Sequence, residues 1–534
     1  MKKRNLFLLA FAAFAFAACS NDDVVDEGGG IDPKGESWVA LSVVRPAATR
    51  GLNTPDKDPA DGPEVNMDKV RAIFFDNAGL VTKDYTLQGG EQGAAGTAGD
   101  AFKVPSSSIT VLVIVNPGAT LAASYAVGTP LTTVNDAING TVANLADRTG
   151  SGSFMMTNAR GDLEGITLHP SAAAAESAPT ALYVDRVVAK VRVYVASATD
   201  VADVTVDNPE WVLNVTNKKY FPMSKRVKTA LATPTPFDIY GLGSYRIDPN
   251  YDNSSNVYTV NGTDAVNADY IANYNYYPST ATPAPSAWNA TTASTSDVEY
   301  CLENTQNAAG NIHAYTTQVL LKAEFYPTKF YLPGDVAGAP SGTSTDSDND
   351  WLAIGANFYA LNTIDKWIED ELTKKYQHTK PSEYLTPITT AYNAFLVGIG
   401  QTPVDVTISP DAGVSAIDAA TKAAAVVADF TALNGDVKTN GAAKVGNVSY
   451  YKGGLSYYKI MIKHDDSSTV LNALGEFGVV RNSVYDIHVS KFNNPGFPII
   501  PEPDPDTPDE TNEGYLSLKI NINEWTWYTQ NEIL

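Results

Sequence analysis

Alternation of apolar and polar positions marks much of this chain. Residues 38–44 read Trp38-Val39-Ala40-Leu41-Ser42-Val43-Val44. Val39, Leu41 and Val43 share one side, and the run stops at Pro46. Two further β-rich runs cover 70–75 and 109–115, the second closed by the turn signal Asn116-Pro117-Gly118. Residues 183–195 alternate from Val187 onward and predict one long strand. Core strands are also expected over 317–325, 456–462 and 484–489, and helices over 361–377 and about 412–432.

The end of the chain has the cleanest pattern. Leu516, Leu518, Ile520 and Ile522 alternate with Ser517, Lys519, Asn521 and Asn523, so one face calls for burial. The stretch before it, 495–513, interleaves Pro495, Pro498, Pro501, Pro503, Pro505 and Pro508 with acids. It reads as an extended spacer of about 3.1 Å per residue, unable to pack a core. A lone strand is not stable in water, so this one must return to its own sheet or complete that of a neighbouring molecule. The pattern leaves both open.

Composition narrows the function. Tyr (28) outnumbers Phe (18), and only 18% of the 534 residues are charged, which favours strands and turns. A net charge of −23 argues against nucleic acid and against simple adhesion to anionic lipid. Two cysteines, Cys19 and Cys301, allow one disulfide at most, and five scattered histidines offer no metal-ligand spacing. Asp346, Asp348 and Asp350 begin like a calcium loop. Trp351 replaces the expected glycine and Asn357 the closing glutamate, so a solvated acidic loop is the better reading. Asn261-Gly262 and Gly453-Gly454 read as hairpin turns, and the Gly96–Gly99 stretch lacks the lysine of a phosphate-binding loop. No Ser–His–Asp set can be assembled, and neither catalysis nor a cofactor is expected. Tyr- and Trp-rich loops suit stacking on sugars, which keeps a surface glycan-binding lipoprotein as an alternative, with a hydrolase behind it.

The N-terminus is a targeting signal. Lys2, Lys3 and Arg4 precede an apolar run from Leu6 to Ala18, too short for the roughly 20 residues of a membrane-spanning helix. Ala17-Ala18-Cys19 looks like a bacterial lipobox with Phe16 in place of the usual leucine. It predicts removal of residues 1–18 and lipidation of Cys19; an ordinary secretory signal with an incidental cysteine is the alternative. The acidic Ser20-Asn21-Asp22-Asp23 that follows resembles the surface-export signal of Bacteroidales lipoproteins.

Several further motifs occur in a telling order. They are Leu182-Tyr183-Val184-Asp185-Arg186-Val187-Val188-Ala189-Lys190-Val191, the stretch from Trp211 to Tyr220, and Met223-Ser224-Lys225-Arg226. Tyr300-Cys301-Leu302-Glu303-Asn304-Thr305, Gly454-Leu455-Ser456-Tyr457-Tyr458 and Val479-Val480-Arg481-Asn482-Ser483-Val484-Tyr485-Asp486-Ile487 follow. With the lipobox ahead and the spacer and strand behind, the chain resembles the fimbrillins of Bacteroidales bacteria, in particular the stalk subunits of short (Mfa-type) fimbriae.

The resemblance implies a mainly β fold of two transthyretin-like β-sandwich domains, the second with helical insertions, plus a C-terminal extension strand. It divides the chain into a signal peptide (1–18), a propeptide with tether and removable first strand (19–50), an N-terminal sandwich (51–226), a C-terminal sandwich (227–494), the spacer (495–513) and a donor strand (514–534). It implies an outer-membrane lipoprotein precursor whose first strand, carrying Val39, Leu41 and Val43, is cut away by an Arg-specific trypsin-like protease. Another copy's strand, with Leu516, Leu518, Ile520 and Ile522, then fills the groove and builds a head-to-tail polymer with tip and anchor subunits. Tip or accessory subunit is the other place in such an assembly. Arg50-Gly51 suits the cut, since it follows the first strand and precedes a loop rich in Pro, Asp and Gly, whereas Arg45 is followed by Pro46.

Overall fold

The computed structural model describes chiefly residues 35–44, 62–146, 154–229, 242–252, 268–360, 444–511 and 516–524, with brief interruptions inside those spans. The helices expected over 361–377 and 412–432 lie outside the described residues.

The described chain is mainly β and builds two large cores. The first lies against a sheet of β2 (Leu41–Val44), β3 (Val70–Phe75), β4 (Val81–Thr86), β6 (Thr110–Val115), β7 (Met156–Asn158) and β8 (Thr180–Arg186), ordered β2-β8-β7-β6-β3-β4. A short pair, β1 (Glu36–Val39) with β5 (Phe102–Pro105), accompanies it. Strand β3 follows the pattern read from sequence. β6 ends at Asn116, whose positive φ of 50° and side-chain acceptance of the Asp68 and Lys69 N–H groups make the turn.

The run 183–195 is not one strand. It belongs to β8 and β9 (Val188–Val195), parted at Val187, whose N–H bonds the Met155 carbonyl. β8 pairs within the first sheet, while β9 lies between β11 (Val298–Leu302) and β17 (Ser483–Phe492) in another. Val187 and Val188 still pack in the first core, and Ala189, Val191, Val193 and Val195 pack in the second. Period-two alternation cannot show this break, because each half alternates correctly for its own sheet. Residue 226, the expected domain boundary, lies in the junction between the cores.

The second core is held between two four-stranded sheets. One is ordered β11-β9-β17-β18, with β18 spanning Leu516–Glu524. The other runs from residues 289–290 through β10 (Val204–Asn214) and β12 (Gln318–Pro327) to β16 (Leu455–Met461). Inward alternation supplies Val191, Val193, Tyr485 and Ile487 from the first sheet and Val319, Leu321, Phe325 and Ile460 from the second. A small sheet of β13 (Trp351–Ile354), β14 (Asn357–Ala360) and β15 (Val448–Tyr451) closes one end. There Trp351 stacks on Tyr451 at 4.0 Å and donates its indole N–H to the Phe325 carbonyl. Gly453 and Gly454, both at positive φ, turn the chain from β15 into β16, which lie in different sheets. They therefore do not close a hairpin between those strands.

Asp350, from the candidate calcium loop, is buried and accepts the Tyr450 hydroxyl and the Gly453 N–H at 2.6 Å each; Asp346 and Asp348 lie outside the described residues. Cys301 is buried in the second core, where desolvation pushes its thiol well up. Among the described residues no helix is long and apolar enough to cross a membrane.

Candidate functional site

Residues 36–44 are the most distinctive segment of the fold. They change sheet at Ala40. The first half, β1, pairs antiparallel with β5, setting Trp38 opposite Lys103 and Val39 opposite Phe102. Trp38 also exchanges both backbone hydrogen bonds with His169, at 2.9 and 2.8 Å. The second half, β2, pairs parallel with β8 from Leu41–Thr180 to Val44–Tyr183. Its other side is covered by a loop: Gly99 N–H donates to the Leu41 carbonyl and Gly96 N–H to that of Val43. A Cβ at Gly99 would collide with the Glu91 carbonyl, so glycine lets this loop close on β2. The Gly96–Gly99 stretch thus caps a strand.

Val39, Leu41 and Val43 are at most 1% exposed and belong to the first core. The segment is therefore hydrogen-bonded along both sides and packed beneath. Taking it out would open a slot with an apolar floor and unpaired backbone on β5, β8 and the 96–99 loop. Cys19, Arg50 and Gly51 lie outside the described residues.

At the other end, β18 pairs antiparallel with β17, with Ile520 opposite Ile487, Ile522 opposite Tyr485, Leu518 opposite Val489 and Leu516 opposite Phe492. Within one chain, the terminal strand thus lies at the edge of its own sheet.

The spacer expectation needs correction. Residues 497–510 do not project; they form a strap across the outer face of the β12–β16 sheet. Phe497 exchanges backbone hydrogen bonds with Tyr457 at 2.7 Å, and Ile500 is buried with Val212, Trp288, Leu320 and Tyr457. Further on, His313 N–H bonds the Thr507 carbonyl, Asp509 N–H bonds that of Asn311, and the Thr316 hydroxyl donates to the buried Asp509 carboxyl. Proline density forbids regular strand but not packing, because the sheet offers apolar residues on its outer face and unpaired backbone groups at the β16 edge.

The motifs of the sequence meet in space at a buried polar junction between the cores. Arg246 bonds Asp185 at 2.6 Å, and Asn482 donates to the same carboxylate. Arg186, fully enclosed, reaches the Glu64 carbonyl and Asn482. Glu303 lies 3.3 Å from Arg481 Nε and accepts the Arg481 N–H and the Ser224 hydroxyl. Asn304 exchanges backbone bonds with Val479, and Thr305 donates to the Arg246 carbonyl. Burial lowers Arg246 to about 9 against the pull of Asp185, and burial lifts Asp248 to about 7 although Thr305 and Asn250 donate to it. Sequence reading gave no role to this set. Its one signal was charged residues set among strand-forming ones, as in Val184-Asp185-Arg186-Val187.

Residues 449–531 match the family model of the major fimbrial subunit protein type IV, fimbrillin, C-terminal. This C-terminal stretch is similar to the fimbrillin family. The matched part takes in β16, β17, the strap and β18. Solved structures similar to the chain include a fimbrilin (fimA) from Porphyromonas gingivalis W83, at 12% identity, 94% and 100% coverage of this chain and that one, and TM-score 0.39. The tip fimbrial protein Mfa3 of Porphyromonas gingivalis follows at 9% identity, 92% and 100% coverage and TM-score 0.31. The fimbrial anchor protein Mfa2 of the same organism gives 10% identity, 35% and 62% coverage and TM-score 0.21. No curated protein sequence matches this chain significantly.

Proposed function

We propose that this chain is a fimbrillin, a structural subunit of a cell-surface fimbria that serves adhesion and polymerises by strand exchange. In this reading the precursor is lipidated on Cys19 and carried to the outer membrane. An Arg-specific trypsin-like protease then cuts Arg50–Gly51, six residues past the end of β2. Residues 36–44 leave the slot, and residues 516–524 of another copy enter it. Two transthyretin-like sandwiches, joined at the β8–β9 break, are the bodies that each exchange links. Tip and anchor subunits terminate the polymer.

The observation that carries the reading is the nine-residue segment 36–44. It is packed in the first core and bonded on both sides, and the sequence beyond it carries Arg50. β18 is also nine residues long, with the alternation an apolar floor requires. Each joint would be head-to-tail and would not close on itself, which gives a fibre. For exchange, β18 must first leave the edge of β17, where it makes one ladder only.

Limited Arg-specific proteolysis followed by electron microscopy and SDS electrophoresis tests the scheme. The cut protein should begin at Gly51 and form fibres and SDS-resistant ladders, while Arg50→Ala should remain a folded monomer. Fibres of normal length from Arg50→Ala would overturn the assignment of the cut.

A further inference from the structure

A cleft of about 960 Å³ opens beside the junction, with walls from residues 139–142, 213–218, 271–277 and 298–300. These stretches are pinned to one another. Gly140 N–H donates to the Lys218 carbonyl, Lys218 N–H to that of Asn273, and the backbones of 216–217 and 274–275 pair as short strands. A Cβ on Gly140 would come within 2.8 Å of the Tyr220 ring, so glycine keeps that wall close. The cleft is therefore preformed, and its size is that of a small-molecule site.

Its chemistry is specific. The half-buried Tyr276 and Tyr277 and the buried Tyr274 line it. Glu299 lies among them. Its Oε2 accepts the Leu213 N–H at 3.0 Å and the Asn289 amide at 2.9 Å, while among the described residues nothing donates to Oε1 and no cation pairs with the carboxylate. The cation of the lining, Lys218, donates to the Ile271 carbonyl. Asn139, Thr141 and Asn275 add neutral hydrogen-bonding groups. Burial lifts Glu299 to about 7, so near neutral pH it can either donate or accept.

We propose that this cleft binds a neutral sugar unit of a glycan. A pyranose offers a C–H face to tyrosine rings and hydroxyls that serve the open oxygen of Glu299. An anionic ligand would meet that carboxyl, while the ammonium of Lys218 is engaged at the Ile271 carbonyl. A wholly apolar one would strand its open oxygen away from water. The site lies apart from the slot of residues 36–44, and the proposal stands whether or not the chain polymerises.

The test uses the intact chain on an array of immobilised neutral, sialylated and sulfated oligosaccharides, with trimethylammonium-bearing and lysine-bearing surfaces alongside. Neutral glycans should be retained, and retention should carry over to titration in solution. Glu299→Gln should weaken binding at least tenfold. Asn275→Trp, which fills the mouth from an exposed position, should abolish it. Both should melt within a few degrees of the parent. Should Glu299→Gln fail to fold, Asn275→Trp alone decides. No retained neutral glycan, equal retention by the folded variants, or a preference for the ammonium surfaces would each overturn the proposal.

Discussion

Leu41→Ala is the sharpest probe of the slot. Leu41 is fully enclosed in the first core, and its carbonyl is held by Gly99 N–H at 3.0 Å. The substitution leaves that backbone bond but removes three buried carbons and leaves a cavity. Such changes cost about 2–5 kcal/mol. In the uncut chain the loss should appear as lower stability in urea denaturation, with an unchanged dependence on denaturant concentration. After the Arg50 cut the same loss weakens a held segment that is no longer covalently joined to the body. At one decade per 1.4 kcal/mol, its release should quicken about 30-fold to 4,000-fold. If release limits assembly, polymerisation followed by light scattering should accelerate with it. Once residues 36–44 are gone, cut parent and cut variant are the same molecule and should show equal stability. Two results would refute the reasoning: an uncut variant as stable as the parent, or a cut variant that releases the segment and polymerises at the parental rate.

Ile520→Asp should abolish ladders in the cut protein while lowering the monomer melting temperature by only a few degrees, since β18 is an edge strand; normal ladders would remove this residue from the exchange. Glu303→Gln strips the countercharge from the enclosed Arg481 and should cost about 3–5 kcal/mol. Because Arg481 also bonds Phe221 and Pro222, the two cores should lose stability together in calorimetry, and a loss confined to one transition would contradict a shared junction. Burial raises Asp248 from 3.8 to about 7, so its contribution to stability is full below about pH 4 and fades as pH climbs towards 7. Asp248→Asn should flatten the measured stability–pH curve over that window, and an unchanged slope would locate the titration elsewhere.

The strands legible in the sequence were those rich in β-branched and aromatic residues, as in β6, β12 and β17. Val39, Leu41 and Val43 were read as core, and they are. What escaped was any feature that depends on a partner far along the chain. The sheet change at Ala40 leaves no mark, because alternation continues through it while the hydrogen-bonding partner switches from Phe102 to Thr180. The strap was misread because proline content predicts the local conformation of 497–510 but not the apolar patch of Leu320 and Tyr457 that buries Ile500. The junction was hidden for the opposite reason. Arg186, Glu303 and Arg481 look like surface residues until the second core supplies their partners.

The switch of sheet at Ala40 has a mechanical side. Tension applied along residues 36–44 is shared between the β1–β5 ladder and the β2–β8 ladder, both lying along the direction of pull. Bonds loaded in this way slide together and must fail as a group, whereas a hairpin peeled from its end loses them one at a time. Because the two ladders belong to different sheets, a crack begun in one cannot simply run on into the other. Whichever strand occupies this position is seated to bear load lengthwise.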